Sequence, residues 1–129
     1  MTGYILDTHA LLWFVSGDPK LSPKAKSVIE NADNEIALSS AAVWEISIKS
    51  QIGKIRLHKE LDQLISEILQ LYNFTPLAIT IPHVIRVNSL PEIHRDPFDR
   101  VLVAQSIAEN MPLITADPLI KKYKIKTIW

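Results

Sequence analysis

Short apolar runs alternate with longer stretches of helical periodicity along this chain. The apolar runs predict five strands, at residues 4–6, 36–38, 74–79, 112–115 and 125–129. Apolar spacing of three and four residues, together with cap residues, predicts the helices between them, at 8–15, 22–32, 41–52, 61–72, 81–88, 97–109 and a short one from 117. Strands separated by helices indicate an α/β fold with a largely parallel sheet and helices on both faces.

The length and composition indicate one compact domain over residues 1–129, with a packed core. Apolar residues make up 47% and charged residues 22%, which argues against disorder. Because cysteine is absent, disulfides, cysteine-bound zinc and thiol nucleophiles are excluded. No basic segment precedes the first apolar run, and no apolar stretch approaches the roughly 20 residues that cross a bilayer. We therefore expect a soluble, cytoplasmic protein without a signal peptide or membrane span.

The net charge is zero, from 14 basic and 14 acidic residues. A dedicated nucleic-acid-binding protein usually carries a basic excess. A nuclease that contacts few phosphates does not need that excess, so the charge weakens a nuclease interpretation without removing it. The lysines at 121, 122, 124 and 126 offer a phosphate contact, although a solvated helix end and strand edge is the more common origin of such a run.

Four acidic residues are predicted to converge, although more than a hundred positions separate the first from the last. Two of them follow strands and two lie in the first turns of helices; they are Asp7, Glu45, Asp99 and Asp117. In open parallel sheets, function gathers at the carboxyl ends of the strands, and the following helices begin at the same edge. We therefore expect these carboxylates at one rim of the sheet.

Each aspartate also has a structural interpretation. Asp96, Pro97 and Asp99 have the spacing of an N-cap, a first-turn proline and a capping-box acid. Asp7 and Asp117 can likewise cap the helices that follow them. Taken singly, capping is favoured for each aspartate, because this residue type is enriched at helix starts.

Glu45 favours the functional interpretation more than any aspartate does. Its structural explanation is a salt bridge to Lys49, one helical turn later. The surrounding helix is apolar, however, and a carboxylate against apolar surface is unfavourable unless it is paired or bound to a cation.

Carboxylates that are brought together repel one another unless a cation lies between them. Oxygen ligands of this kind suit Mg²⁺ or Mn²⁺, and such a site can generate a hydroxide nucleophile for phosphodiester hydrolysis. Thr115 either orients a ligand or a water through its hydroxyl, or is an ordinary residue at a strand end.

Four segments of the sequence resemble, in order, the motif blocks of PIN domains, and among these the VapC-type toxins of bacterial toxin–antitoxin pairs. Their sequences are LDTHALLW at 6–13, VWEI at 43–46, HRDPFDR at 94–100 and ITAD at 114–117. The third segment is the most specific. Together the four span nearly the whole chain.

The resemblance implies a three-layer α/β/α sandwich with a mainly parallel central sheet. It further implies an endoribonuclease that cleaves RNA with one or two Mg²⁺ or Mn²⁺ ions, a cognate antitoxin that covers or distorts the site, and commonly a homodimer. By position in the motifs, the catalytic and metal-site acids are Asp7, Glu45, Asp99 and Asp117. The family's principal acid in this block matches Asp99, so Asp96 ranks behind the other four as a fifth candidate.

The four histidines divide into two pairs. His9 and His94 flank acids and could contact metal-bound water or a phosphate, but a hydrogen-bonded structural role is favoured for both. His58 and His83 are expected at the surface or at helix starts.

Two arginines and two tryptophans have alternative roles. Arg95 and Arg100 stand beside the acids, where they could neutralise a phosphate or, equally, pair with the carboxylates. Trp13 and Trp44 are expected in the core rather than as base-stacking platforms, because each lies in an apolar helical run.

Two other function classes compete with the nuclease interpretation. A phosphotransferase with Asp7 as covalent nucleophile would want an aspartate two residues later, where His9 stands, and the isolated glycines form no phosphate-binding loop. The stronger alternative is a binding module that keeps the PIN fold and its acids without catalysis. The neutral charge and the capping roles of the aspartates motivate it.

Overall fold

A computed structural model describes residues 3–129. Its sheet has five parallel strands in the order β3-β2-β1-β4-β5, with bounds β1 (Gly3–Leu6), β2 (Glu35–Ser39), β3 (Thr75–Leu77), β4 (Leu113–Ile114) and β5 (Thr127–Ile128). All five predicted strands are present, but the last three are shorter than predicted. Pro76 lies within β3 and Pro112 precedes β4, and neither residue has an N–H group to donate to the sheet.

Six α-helices connect the strands: α1 (Thr8–Ser16), α2 (Pro23–Glu30), α3 (Ser40–Gln51), α4 (Leu61–Leu71), α5 (Ile81–Asn88) and α6 (Pro97–Glu109). Their ends follow the predicted caps. Ser22 accepts a hydrogen bond from the Ala25 N–H at 3.0 Å, and α1 stops at Gly17, whose φ of 68° is left-handed. The short helix expected from 117 forms instead as a 3₁₀ turn at Ile120–Lys122. No helix of residues 3–129 is long and apolar enough to span a membrane.

Helices cover both faces of the sheet, as predicted. Neighbouring residues of a strand point to opposite faces, so Leu6 packs with buried side chains of α1, α2 and α4, whereas Ile5 packs with those of α6. Each face therefore has its own hydrophobic core. The two cores thus pack against opposite faces of the same strand.

The strand order creates a crevice at the centre of the sheet. The chain runs from β1 outward through β2 to β3, and then crosses to β4 and β5 on the other side. Connections therefore leave β1 and β4 in opposite directions, and ligands bind at such a switch point in open α/β sheets. Asp7 follows β1 and Thr115 follows β4 at this point.

One prediction about side-chain burial is wrong. Trp44 is 56% exposed, because the inner face of α3 is formed by Ala41, Ala42, Glu45 and Ile46, and Trp44 lies outside it, where it packs edge-on against Phe98 at 5.0 Å. His83 lies at a helix start, as predicted, and is buried at 2% exposure. Trp13 is half-buried and packs against the core, as predicted.

Candidate active site

Asp7 is buried directly after β1 and caps α1. Its Oδ1 accepts the Ala10 N–H at 2.8 Å, and its Oδ2 accepts the hydroxyl of Thr115. Burial raises the pKa of Asp7 above its ordinary value, although these two hydrogen bonds act in the opposite direction. Asp7 therefore has the predicted capping role and also lies at the switch point of the sheet.

Thr115 links Asp7 to Asp117. Its hydroxyl oxygen accepts the backbone N–H of Asp117 at 3.0 Å while the hydroxyl group donates to Asp7. The Asp117 carboxylate in turn accepts the Leu119 N–H at 2.8 Å. Thr115 therefore orients the Asp7 carboxylate through its hydroxyl, and its role in supporting a metal ligand stays a prediction.

His94 lies within the acid cluster. Its Nε2 is 2.9 Å from Asp117 Oδ2 and 3.2 Å from Asp99 Oδ2, and its Nδ1 accepts the Asp96 N–H at 3.1 Å. Because Nδ1 accepts, Nε2 carries the proton and donates to the carboxylates. One ligand atom each of His94, Asp99 and Asp117 lies within 4.8 Å of the others. The hydrogen-bonded role expected for His94 is therefore present, and its partners are two acids of the predicted site.

Partial burial disfavours ionisation of Asp117, but its pKa is nevertheless lowered. The hydrogen bond from His94 and the backbone hydrogen bond from Leu119 outweigh the burial. Asp117 is therefore a carboxylate at neutral pH.

Asp99 carries the strongest sign of accumulated negative charge. It lies in the first turn of α6, whose N-cap Asp96 accepts the backbone N–H groups of Phe98 and Asp99 at 2.8 and 3.3 Å. Burial, followed by the charges of Asp96, Glu45 and Asp7, raises the pKa of Asp99 to about 7, against a lowering effect of His94. A hard divalent cation would relieve this repulsion, so the donor set fits such an ion.

Glu45 is 2% exposed and both of its oxygens are engaged. Oε1 accepts the Thr8 hydroxyl and Oε2 the Lys49 ammonium, each at 2.5 Å. The hydrogen bond with Glu45 raises the pKa of Lys49 against burial, and the charges of Glu45, Asp96 and Asp99 add to the rise. The salt bridge expected for Glu45 is therefore present, and the carboxylate is buried.

Thr8 is a residue of the site that the sequence pattern does not predict. Its hydroxyl is buried against Glu45, 37 positions away along the chain. The available signal was a polar residue next to a motif acid in a helix that is otherwise mostly apolar.

Of the two arginines beside the motif acids, Arg100 has other partners. Arg100 donates to the carbonyls of Pro91 and Val87 at 3.0 and 3.1 Å and to the Tyr123 hydroxyl at 3.3 Å. Its guanidinium therefore ties the start of α6 to α5, and neither predicted role matches these contacts. Arg95 is exposed, as is His9, whose ring lies 5.5 Å from that of Trp13.

The ends of β1 and β4 and the starts of α3 and α6 bring the four predicted acids close enough for their charges or hydrogen bonds to connect them. Asp99 and Asp117 meet at His94, and Asp7 joins them through Thr115. Glu45 acts on Asp99 through its charge. Asp96, the fifth candidate, caps α6 at the edge of this group.

The PIN domain family matches the sequence over residues 4–126. Ribonuclease VapC22 of Mycobacterium tuberculosis (strain ATCC 25618 / H37Rv) is 28% identical over 136 residues, covering 100% of each chain. Similar solved structures include VapBC2 from Rickettsia felis bound to a DNA fragment from their promoter, with a TM-score of 0.72, 16% identity and 98% of each chain covered. DNA-bound VapBC from Salmonella typhimurium has a TM-score of 0.72 and 14% identity, over 99% of this chain and 98% of that chain. The structural likenesses confirm the predicted α/β fold, and the match over residues 4–126 shows that the chain belongs to the PIN-domain family.

Proposed function

We propose that this protein is a metal-dependent endoribonuclease and the toxin of a toxin–antitoxin pair. The observation that carries the proposal is the acid cluster at the switch point, where burial and neighbouring carboxylates raise the pKa of Asp99 to about 7. Perturbed carboxylates in a crevice are typical of functional sites. Membership of the PIN family and similarity to a protein named as a ribonuclease support RNA as the substrate.

One or two Mg²⁺ or Mn²⁺ ions would be held by Asp7, Asp99 and Asp117, with Glu45 as the fourth candidate acid. Each carboxylate oxygen has two lone pairs, so the hydrogen bonds described above leave room for a cation. When bound, such an ion supplies Lewis-acid charge and lowers the pKa of a water that can attack phosphorus.

The residues of the chain itself orient the acids. Thr115 holds the Asp7 carboxylate, and His94 holds those of Asp99 and Asp117. Fixed carboxylates need little rearrangement when the substrate phosphate arrives, which is the form of preorganisation that phosphoryl chemistry requires.

The proposed partners are an RNA substrate and a cognate antitoxin protein. The structural likeness to proteins solved as VapBC complexes supports the antitoxin. A homodimer and action in the cytoplasm stay predictions.

A non-catalytic binding module is the second candidate. The helix-capping hydrogen bonds of Asp7 and Asp96, and the bond that Asp117 accepts from the Leu119 N–H in the turn before the 3₁₀ helix, favour it, because each acid has a structural role without a metal. Cleavage itself separates the two candidates.

The deciding experiment is cleavage of mixed, end-labelled structured RNA in Mg²⁺, in Mn²⁺ and in EDTA. Wild type is compared with Asp99→Asn and with Asp62→Asn, a matched control at an exposed position in the first turn of α4. We expect cutting by wild type and Asp62→Asn in either metal, and none by Asp99→Asn or in EDTA. If pure wild type that is free of antitoxin cuts none of several RNAs, the binding module is the better proposal.

A further inference from the structure

Lys49 lies at the edge of the acid cluster with part of its side chain open to solvent. Its ammonium is 2.5 Å from Glu45 Oε2, and its side chain is 29% exposed while that of Glu45 is 3% exposed. The charges of Asp96 and Asp99 act on it as well. The ammonium therefore stands between a buried carboxylate and the solvent from which a substrate would come.

Residues of two helices fix the position of the Lys49 ammonium. Glu45 lies one turn before it on α3, and Thr8 on α1 donates its buried hydroxyl to the other oxygen of Glu45 at 2.5 Å. With both oxygens engaged, the carboxylate cannot rotate freely. A flexible lysine side chain is thereby restricted to one location, which lowers the entropy lost when it binds a ligand.

An RNA backbone that approaches this site meets several carboxylates, so it needs positive charge at the point of contact. Among residues 3–129, Lys49 is the one lysine or arginine in a salt bridge with an acid of the cluster. Arg100 is taken up by backbone carbonyls, and His94 by Asp99 and Asp117. Lys49 is thus placed to contact a phosphate.

We propose that Lys49 binds a phosphate of the RNA substrate beside the acid cluster, and that Glu45 and Thr8 are the positioning residues that hold its ammonium there. This inference rests on the proposed ribonuclease function and deepens it. It gives a chain of zero net charge a specific cationic contact in place of a general basic surface.

The test is the salt dependence of binding to a labelled single-stranded RNA in Mg²⁺, in an Asp99→Asn background that prevents cleavage. Each phosphate contact on a single strand contributes about 0.7 to the slope of log K against log[salt]. Adding Lys49→Met should reduce the slope by about 0.7 and weaken binding at low salt about tenfold. Lys49→Arg should keep both values close to the reference.

A matched control is Lys59→Met, which removes a lysine paired with Glu67 at 2.6 Å outside the acid cluster. Its slope should equal that of the reference. Thr8→Val changes no charge, so it should weaken binding about threefold without changing the slope. An unchanged affinity would overturn the positioning role of Thr8.

Lys49→Met leaves Glu45 buried without its partner and is a risk to folding. Lys49→Gln keeps a side-chain N–H donor that can still reach Glu45, which lowers that risk, and the same slope reduction of about 0.7 is expected for it. A folded Lys49→Gln protein with the reference slope would overturn the role of Lys49, while metal-dependent cleavage by wild type would leave the proposed function intact. If wild type neither cuts nor binds RNA, both proposals fail.

Discussion

Thr115 donates a hydrogen bond to the carboxylate of Asp7, although the two residues lie 108 positions apart in the chain. The contact exists because β1 and β4 are neighbours in the sheet and end at the same edge. The hydrogen bond connects the end of β1 to the segment that carries Asp117. It also offsets part of the rise in the pKa of Asp7 that burial causes.

Removing the Thr115 hydroxyl should therefore destabilise the protein and loosen the site. Thr115→Val keeps the shape of the side chain but leaves a buried carboxylate oxygen without its donor, at a cost of about 1–3 kcal/mol. Urea unfolding at pH 7 measures the change. Thr75→Val, at an exposed position of β3, is the control and should change the free energy of unfolding by less than about 0.5 kcal/mol. Equal effects of the two substitutions would contradict the assigned role of the hydroxyl.

The raised pKa of Asp99 makes stability depend on pH in a stated direction. An unfolded aspartate has a pKa of about 3.9, whereas that of folded Asp99 is about 7. Between these values the folded protein keeps a proton that the unfolded chain has lost. The unfolded state therefore binds fewer protons, and the contribution of Asp99 to the free energy of unfolding falls as pH rises through this window.

Asp99→Asn imitates the protonated form and should remove this dependence. In EDTA, we expect the variant to be more stable than wild type at pH 8 by about 2–4 kcal/mol and equally stable near pH 4. The difference is read from urea unfolding curves across the window. Parallel stability profiles for the two proteins would show that Asp99 titrates normally.

Metal binding should release a proton near pH 6 and almost none near pH 8.5. Below pH 7 the folded protein holds a proton at Asp99, and a bound cation must displace it. Calorimetric titration with Mn²⁺ in two buffers of different ionisation enthalpy counts the protons, and about one per protein is expected at pH 6. The same count at both pH values would contradict this mechanism.

The location of the acids could be predicted because strand ends and helix starts are local features of the sequence. Asp7 follows an apolar run, and Asp99 follows a cap and a proline. Both patterns are visible in the sequence without knowledge of the tertiary structure. The contacts of His94 could not be predicted in the same way. Its partner Asp117 is 23 positions away, and their meeting depends on how α6 packs on the sheet.

Burial on α3 could not be read from periodicity, because apolar residues occur on more than one side of this helix. The buried side chains of α3 are Ala41, Ala42, Glu45 and Ile46, and Trp44 projects from another side of the helix. A count of apolar residues favours the tryptophan for the core. Which side of the helix faces its neighbours is decided by tertiary packing, which the sequence pattern does not contain.

His58 and His83 received the same prediction from the sequence, and the structure separates them. His58 is exposed. His83 is buried, its Nδ1 accepts the Thr80 N–H at 3.0 Å in a capping box, and its Nε2 lies 3.1 Å from Glu109 Oε2. Since Nδ1 accepts, the proton of the neutral ring is on Nε2, so His83 links the start of α5 to the end of α6.

His83→Ala should therefore destabilise the protein by about 2–4 kcal/mol, because it removes a helix cap, a link between two helices and a buried ring. His58→Ala should change the free energy of unfolding by less than about 0.5 kcal/mol. Urea unfolding of the two variants at pH 7.5 makes the comparison. A cost for His83→Ala no larger than that for His58→Ala would mean that α5 and α6 are held together by their apolar contacts alone.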